Sequence, residues 1–248
     1  MKPQSMGQAV LIGLALIYLA SLYFMSSPVW MGFTINALIV AVVALAWNIT
    51  GGFGGMASFG HAAMYGTGAY ASAILQVQYG INAWIAFAAG IVAGAAMGAF
   101  IGALAFRYGL KGSYFALVTL AFAEVLRICA SSFAITGGGS GLQLRLEPGL
   151  STLQFNERAV VYTILLVIVA LVMALTAWLK YSRFGAYLIA VRENEDAARA
   201  LGIDTYRIKV KAMAISGAFA GLAGCFTCRS GCSSTAPSSM AAPSRLRR

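Results

Sequence analysis

Charge is what this chain has least of. Only 10% of its 248 residues are Asp, Glu, Lys or Arg, and only seven of those are acidic. Soluble domains carry about 25%, so a water-facing globular surface is excluded. Histidine occurs once, at His61, with no second histidine and no neighbouring carboxylate to make a metal site. The chain has no GxxxxGK[ST] run for binding ATP in the P-loop manner and no HExxH for a zinc protease. Glu124 is the only carboxylate inside an apolar run, too few for an aspartyl intramembrane protease. The expectation is a protein with no cofactor and no catalysis of its own. The apolar runs are continuous rather than alternating, which argues against a closed β-barrel. No internal repeat stands out. The first apolar run, 9–25, is long and lacks a small-residue cleavage site, so a cleavable signal peptide is not expected.

What is present is apolar: 60% hydrophobic residues and a mean hydropathy of +0.81. A bilayer-spanning helix needs about 20 apolar residues. Runs at 29–49, 55–77, 83–106, 112–134 and 159–179 join the one at 9–25, with an incomplete run starting near 212. The fold class is therefore all-α, a polytopic transmembrane helical bundle in a lipid bilayer. A net charge of +10 suggests nucleic acid at first sight. The basic residues, however, sit in loops between apolar runs, so membrane topology is the better explanation. Arg107 and Lys111 flank one short loop, and the segment 180–211 holds seven basic against four acidic residues. The loops near 26–28 and 78–82 are uncharged, and 135–158 is balanced. Alternating sides from a cytoplasmic N-terminus puts both basic loops inside, as the positive-inside rule demands.

The island at 180–211 has an internal design. Asn194 is a good helix N-cap, and Glu193, Glu195 and Asp196 bring negative charge to the helix start, where the dipole favours it. Arg199 follows Glu195 by four residues, in the stabilising order. Gly202 suits the left-handed position that ends a helix. A short capped helix over 195–201 results, about 10 Å long, with Ala197, Ala198 and Leu201 as apolar contact points. It is either a knob for an aqueous partner or a solvated interhelical loop.

Two further stretches stand out. Between Gly51 and Gly68 lie seven glycines, which permit either close helix packing or a broken helix beside a transport route. His61 falls within it and reads as a packed, hydrogen-bonded group more readily than as a proton relay. In the fifth run, Glu124 and Arg127 stand one turn apart and can neutralise each other. Such groups in a membrane face the bundle interior or water, as a gating pair or as a pair fixing helix rotation. The run TGGGSGL at 136–142 lacks a Lys and a strand–helix setting, so a phosphate cradle is not expected.

Taken in order, several blocks resemble the LivM-type permease subunits of ABC importers for branched-chain amino acids. They are GGFGGMASFGHAAMYGTGAY at 51–70, LKGSYFALVTLAFAEVLR at 110–127, TGGGSGL at 136–142, SRFGAYLIAVRENEDAARALGID at 182–204 and KAMAISGAFAGLAG at 211–224. The resemblance implies an importer working by alternating access in the bacterial inner membrane. Its partners would be a second, LivH-like permease subunit, two cytoplasmic ATP-binding subunits and a periplasmic substrate-binding protein. The segment 193–202, with Arg192, becomes the coupling helix that docks on an ATPase. Its residues are Arg192, Glu193, Asn194, Glu195, Asp196, Ala197, Ala198, Arg199 and Gly202. Asp196-Ala197-Ala198 with Gly202 echoes the importer EAA…G pattern, with Asp in place of Glu. Ser58, His61, Tyr114, Glu124 and Arg127 are candidates to line or gate the route.

After Gly224 the resemblance stops and the chain reads CFTCRSGCSSTAPSSMAAPSRLRR. Residues 1–228 are expected to form the permease domain, incomplete at its C-terminal end, and 229–248 a disordered or aberrant tail from truncation or a shifted frame. Cys225, Cys228 and Cys232 lack a fourth ligand and read as no metal site. The alternatives are an importer permease for urea, amides or other amino acids, an ion-coupled transporter using Glu124, and a non-functional remnant.

Overall fold

The computed structural model describes residues 28–138 and 158–234, and all regular structure among them is helical. Helix α1 is Pro28–Trp47, and one wide π turn, Asn48–Phe53, prolongs it. Then come α2 His61–Val77, α3 Ala83–Arg107, α4 Gly112–Ser132 and α5 Arg158–Tyr181. Two short helices follow, α6 Arg183–Glu193 and α7 Glu195–Ala200, and α8 Thr205–Ser234 completes the set. Among the described residues, five helices are long and apolar enough to cross a membrane: Val29–Phe53, Ala83–Arg107, Gly112–Ser132, Ala159–Tyr181 and Thr205–Cys228. The run at 9–25 lies outside the described residues, as does most of the 135–158 loop.

Two expectations change. The run 55–77 is not one span: residues 54–60 are non-helical and α2 begins only at His61. Its 17 residues reach about 26 Å at 1.5 Å each. The glycine cluster therefore breaks the chain as well as packing it. The run expected from about 212 starts at Thr205 instead, because Arg207 and Lys211 project outward from the first two turns while Ile208, Ala212 and Met213 face the core. The backbone of α8 continues through Ser234, into the stretch read as tail; 235–248 lie outside the described residues.

The centre of the bundle is α8 against α3 and α2. Glycines make this contact backbone to backbone: a Cβ added at Gly94 would stand 2.6 Å from the Gly217 carbonyl oxygen and 2.8 Å from Gly221 Cα. Small residues let helices approach this closely without loss of packing. A second apolar layer joins α1 to α5 and α8, with Leu38, Ile39 and Val42 against Tyr162, Leu165 and Val169. Some helices start where a side chain satisfies free amide groups, though α2 and α4 start without one. Asn82 accepts from Trp84 N at 3.0 Å, and Ser182 accepts from Gly185 N at 3.1 Å.

Most of the charges among the described residues gather at one end, the Glu124–Arg127 pair apart. The π turn, the α3–α4 turn, α6, α7 and the start of α8 meet there, tied by Arg192 to the Gly52 carbonyl at 2.9 Å and by Lys111 to Glu195 at 3.0 Å. At the opposite end, the Gln78 side chain donates to the Ile135 carbonyl at 2.8 Å.

Candidate functional site: a capped lever and a broken helix

At the charged end, Asn194 leaves helical geometry (φ −154°, ψ 106°) and separates α6 from α7. Its side-chain oxygen accepts from the backbone N–H of Asp196 and of Ala197, both at 3.0 Å. At the other end Gly202 takes φ +81°. Gly202 N–H then donates to Arg199 O at 3.0 Å, and Ile203 N–H to Ala198 O at 3.1 Å. That pair of bonds is the Schellman stop. Six residues are thus closed at both ends by their own sequence.

The two faces of α7 differ. Outward stand Asp196, with a side chain 84% exposed, and Leu201, 81% exposed. Inward, Ala198 is buried and the Glu195 side chain is only 15% exposed. The Glu195 carboxylate receives Lys209 Nζ at 2.8 Å, Lys111 Nζ at 3.0 Å and Arg199 at 3.2 Å. Burial pushes its pKa up, but the hydrogen bonds from Lys209 and Lys111 outweigh that and hold it at about 2. Behind these groups lies a cavity of about 250 Å³ lined by Phe106, Lys111, Glu195, Arg199, Tyr206 and Lys209. Lys209 Nζ also sits 5.5 Å from the Phe106 ring centre. Glu193 takes no part in this cluster; it pairs with Arg192 at 2.6 Å.

The pathway candidates separate into two groups. Ser58 and His61 are buried at the break. The Ser58 carbonyl accepts from Trp47 Nε1 at 2.9 Å, and its hydroxyl accepts from Gly60 N–H at 3.2 Å. His61 Nε2 lies 2.7 Å from Ser216 Oγ, whose own proton goes to the Ala46 carbonyl at 2.6 Å. With its proton given to Ala46, the Ser216 oxygen is left to accept from His61 Nε2. These bonds tie α1, α2 and α8 together across the break. Phe59 N–H adds a bond to Thr119 Oγ1 of α4 at 3.1 Å.

Tyr114, Glu124 and Arg127 are instead exposed on α4, Tyr114 in its first turn and the other two one turn apart toward its far end. Arg127 and Glu124 are paired at 2.5–3.1 Å, with both side chains more than half exposed. Of the cysteines, Cys225 is buried against α2, its sulfur 3.4 Å from the Gly68 carbonyl; the side chain of Cys232 lies outside the described residues.

Residue reading alone missed Lys111, Lys209, Thr119 and Ser216. Lys209 carried a signal, a cation just ahead of an apolar run, but its partner lies fourteen residues away around a reversal of the chain.

Apolar helices packed through glycine, a non-helical break at 54–60 and a capped polar helix at one end fit a polytopic membrane permease. The chain belongs to the family described as branched-chain amino acid transport system / permease component, which matches residues 29–239. It is 32% identical over 211 residues to "High-affinity branched-chain amino acid transport system permease protein LivM" of Escherichia coli (strain K12), covering 75% of this chain and 49% of that protein. The LivM of Salmonella typhimurium matches over the same lengths at the same identity. A "Probable branched-chain amino acid transport permease protein LivM" of Methanocaldococcus jannaschii is 36% identical over 118 residues, 46% of this chain and 33% of that protein. The chain spans about half the length of the LivM proteins of the two enteric bacteria. No solved structure matches it significantly.

Proposed function

We propose that this chain is the membrane-spanning permease subunit of an ATP-driven importer for branched-chain amino acids, working by alternating access in the bacterial inner membrane. Two cytoplasmic ATP-binding subunits hydrolyse the nucleotide, a periplasmic binding protein delivers the solute, and a second permease subunit completes the route. The observation that carries this reading is α7, a rigid helix capped at both ends that offers Asp196 and Leu201 outward from the basic end of the bundle. An apolar anchor beside an acidic group suits docking into a pocket on a soluble partner. The excess of basic groups at that end supports a cytoplasmic location, with the N-terminus on the same side. The names of the LivM relatives support the solute class.

The solute route is assigned to the exposed surface of α4 that carries Tyr114, Glu124 and Arg127. An ionic pair facing lipid tails is costly and is kept where protein or water covers it. The second permease subunit is the cover proposed here. Ser58 and His61 act behind the route by holding the broken helix in place.

The test is Asp196→Arg combined with Leu201→Glu in the full chain, co-expressed with its ATP-binding subunits. Membrane insertion should persist while co-purified ATPase falls by about tenfold or more, as for loss of a central interface anchor. Undiminished ATPase attachment would overturn the docking assignment.

A further inference from the structure

Asp196 and Glu195 are neighbours in sequence but differ in setting: the Asp196 side chain is 84% exposed, with Arg199 3.9 Å away, while Glu195 is turned into a cluster of cations. We propose that Glu195 is a positioning residue, not a docking contact: through Lys111 it latches α7 to the first turn of α4 and delivers the displacement of α7 to that helix. The proposal rests on the reading of α7 as the ATPase-docking lever.

The two lysines that hold Glu195 belong to parts of unequal firmness. Lys209 is on α8, which is set against α3 and α2 by glycine backbone contacts that leave no space to slide apart cheaply. Its own side chain is only 11% exposed and rests on the Phe106 ring. Lys111 is different. It forms the α3–α4 turn between Gly109 (φ +67°) and Gly112 (φ +56°), and its side chain is more than half exposed. The helix it precedes, α4, buries only Phe115, Ala116 and Thr119, whereas α3 buries eight residues.

A pull on Glu195 therefore meets a fixed point in α8 and a movable one in α4. Lys111 and Glu195 touch at 3.0 Å, and both also line the cavity of about 250 Å³, so the charged contact that joins the lever to the turn has space beside it. Such a joint can lengthen or rotate without unpacking apolar surface. The far end of the movable helix carries Glu124 and Arg127, so the same displacement reaches the proposed solute route. Lys209 keeps the carboxylate in place, and Arg199 spans to Thr205 Oγ1 at 3.4 Å, closing the base of the lever.

The experiment uses the whole transporter, reconstituted with its partner subunits, and compares Lys111→Gln, Lys111→Arg and Asp196→Arg. Lys111→Gln should keep the ATPase attached yet lower solute-stimulated hydrolysis and uptake per ATP by about tenfold, a typical coupling loss. Lys111→Arg, which preserves the ion pair, should restore both. Asp196→Arg should instead release the ATPase. The latch is overturned if Lys111→Gln stays fully coupled, or if Lys111→Arg is as impaired as Lys111→Gln. If Asp196→Arg leaves the ATPase bound and stimulated, the docking reading itself falls, and the latch with it. Release by Asp196→Arg alongside a fully coupled Lys111→Gln would remove the latch alone.

Discussion

Successive residues on a helix point about 100° apart, so Glu195 and Asp196 cannot share a surface. One carboxylate ends beneath three cations and the other in solvent. Asn194 makes this possible, because both of its hydrogen bonds go to the amides that start α7. Replacing it with alanine should cost about 1 kcal/mol of local helix stability. Amide exchange at Asp196 and Ala197 should then speed up by about fivefold. Exchange unchanged at those two amides would mean that α7 is held by its packing and not by its cap.

At the scale of elements, the contact of α3 with α8 sets the firmness of the body. Gly94, Gly217 and Gly221 bring two backbones into van der Waals contact, and no side chain fits between them. Gly94→Val should destabilise the bundle by about 3 kcal/mol, the upper end for overpacking. A lower detergent melting temperature would report it, together with less protein in the membrane. Gly66, which has open space around it, should accept alanine with little change. The broken element is held differently. Residues 54–60 satisfy their polar groups through Trp47, Thr119 and the Ser58 hydroxyl, as irregular backbone inside a membrane body requires.

For the whole molecule, the outer face of α4 is the surface that the proposed second permease subunit would cover. It carries Tyr114, Leu117, Leu120 and Ile128 around the Glu124–Arg127 pair, all exposed. Removing one charge leaves the other without its counter-ion at a face that the proposed subunit contact would cover. Arg127→Gln should therefore reduce assembly with the second permease subunit, and Glu124→Gln combined with Arg127→Gln should recover part of it. Co-purification of the two permease subunits measures both. A double variant no better than the single one would show that the charges act separately.

Composition and periodicity by themselves determined the all-α membrane class of this protein and the rough limits of four of its spans, and local capping signals determined the short helix at 195–200. These depend on local properties: transfer of apolar side chains out of water, and caps made within four residues. The two ends of α7 were legible because Asn194 and Gly202 act on their immediate neighbours. Only the tertiary structure decided that 54–60 is a break, that His61 is tied to Ser216, and that Glu195 turns inward to Lys111 and Lys209. Those contacts join residues far apart in the chain, and a carboxylate on a short helix has no local preference between solvent and a lysine that only folding brings near.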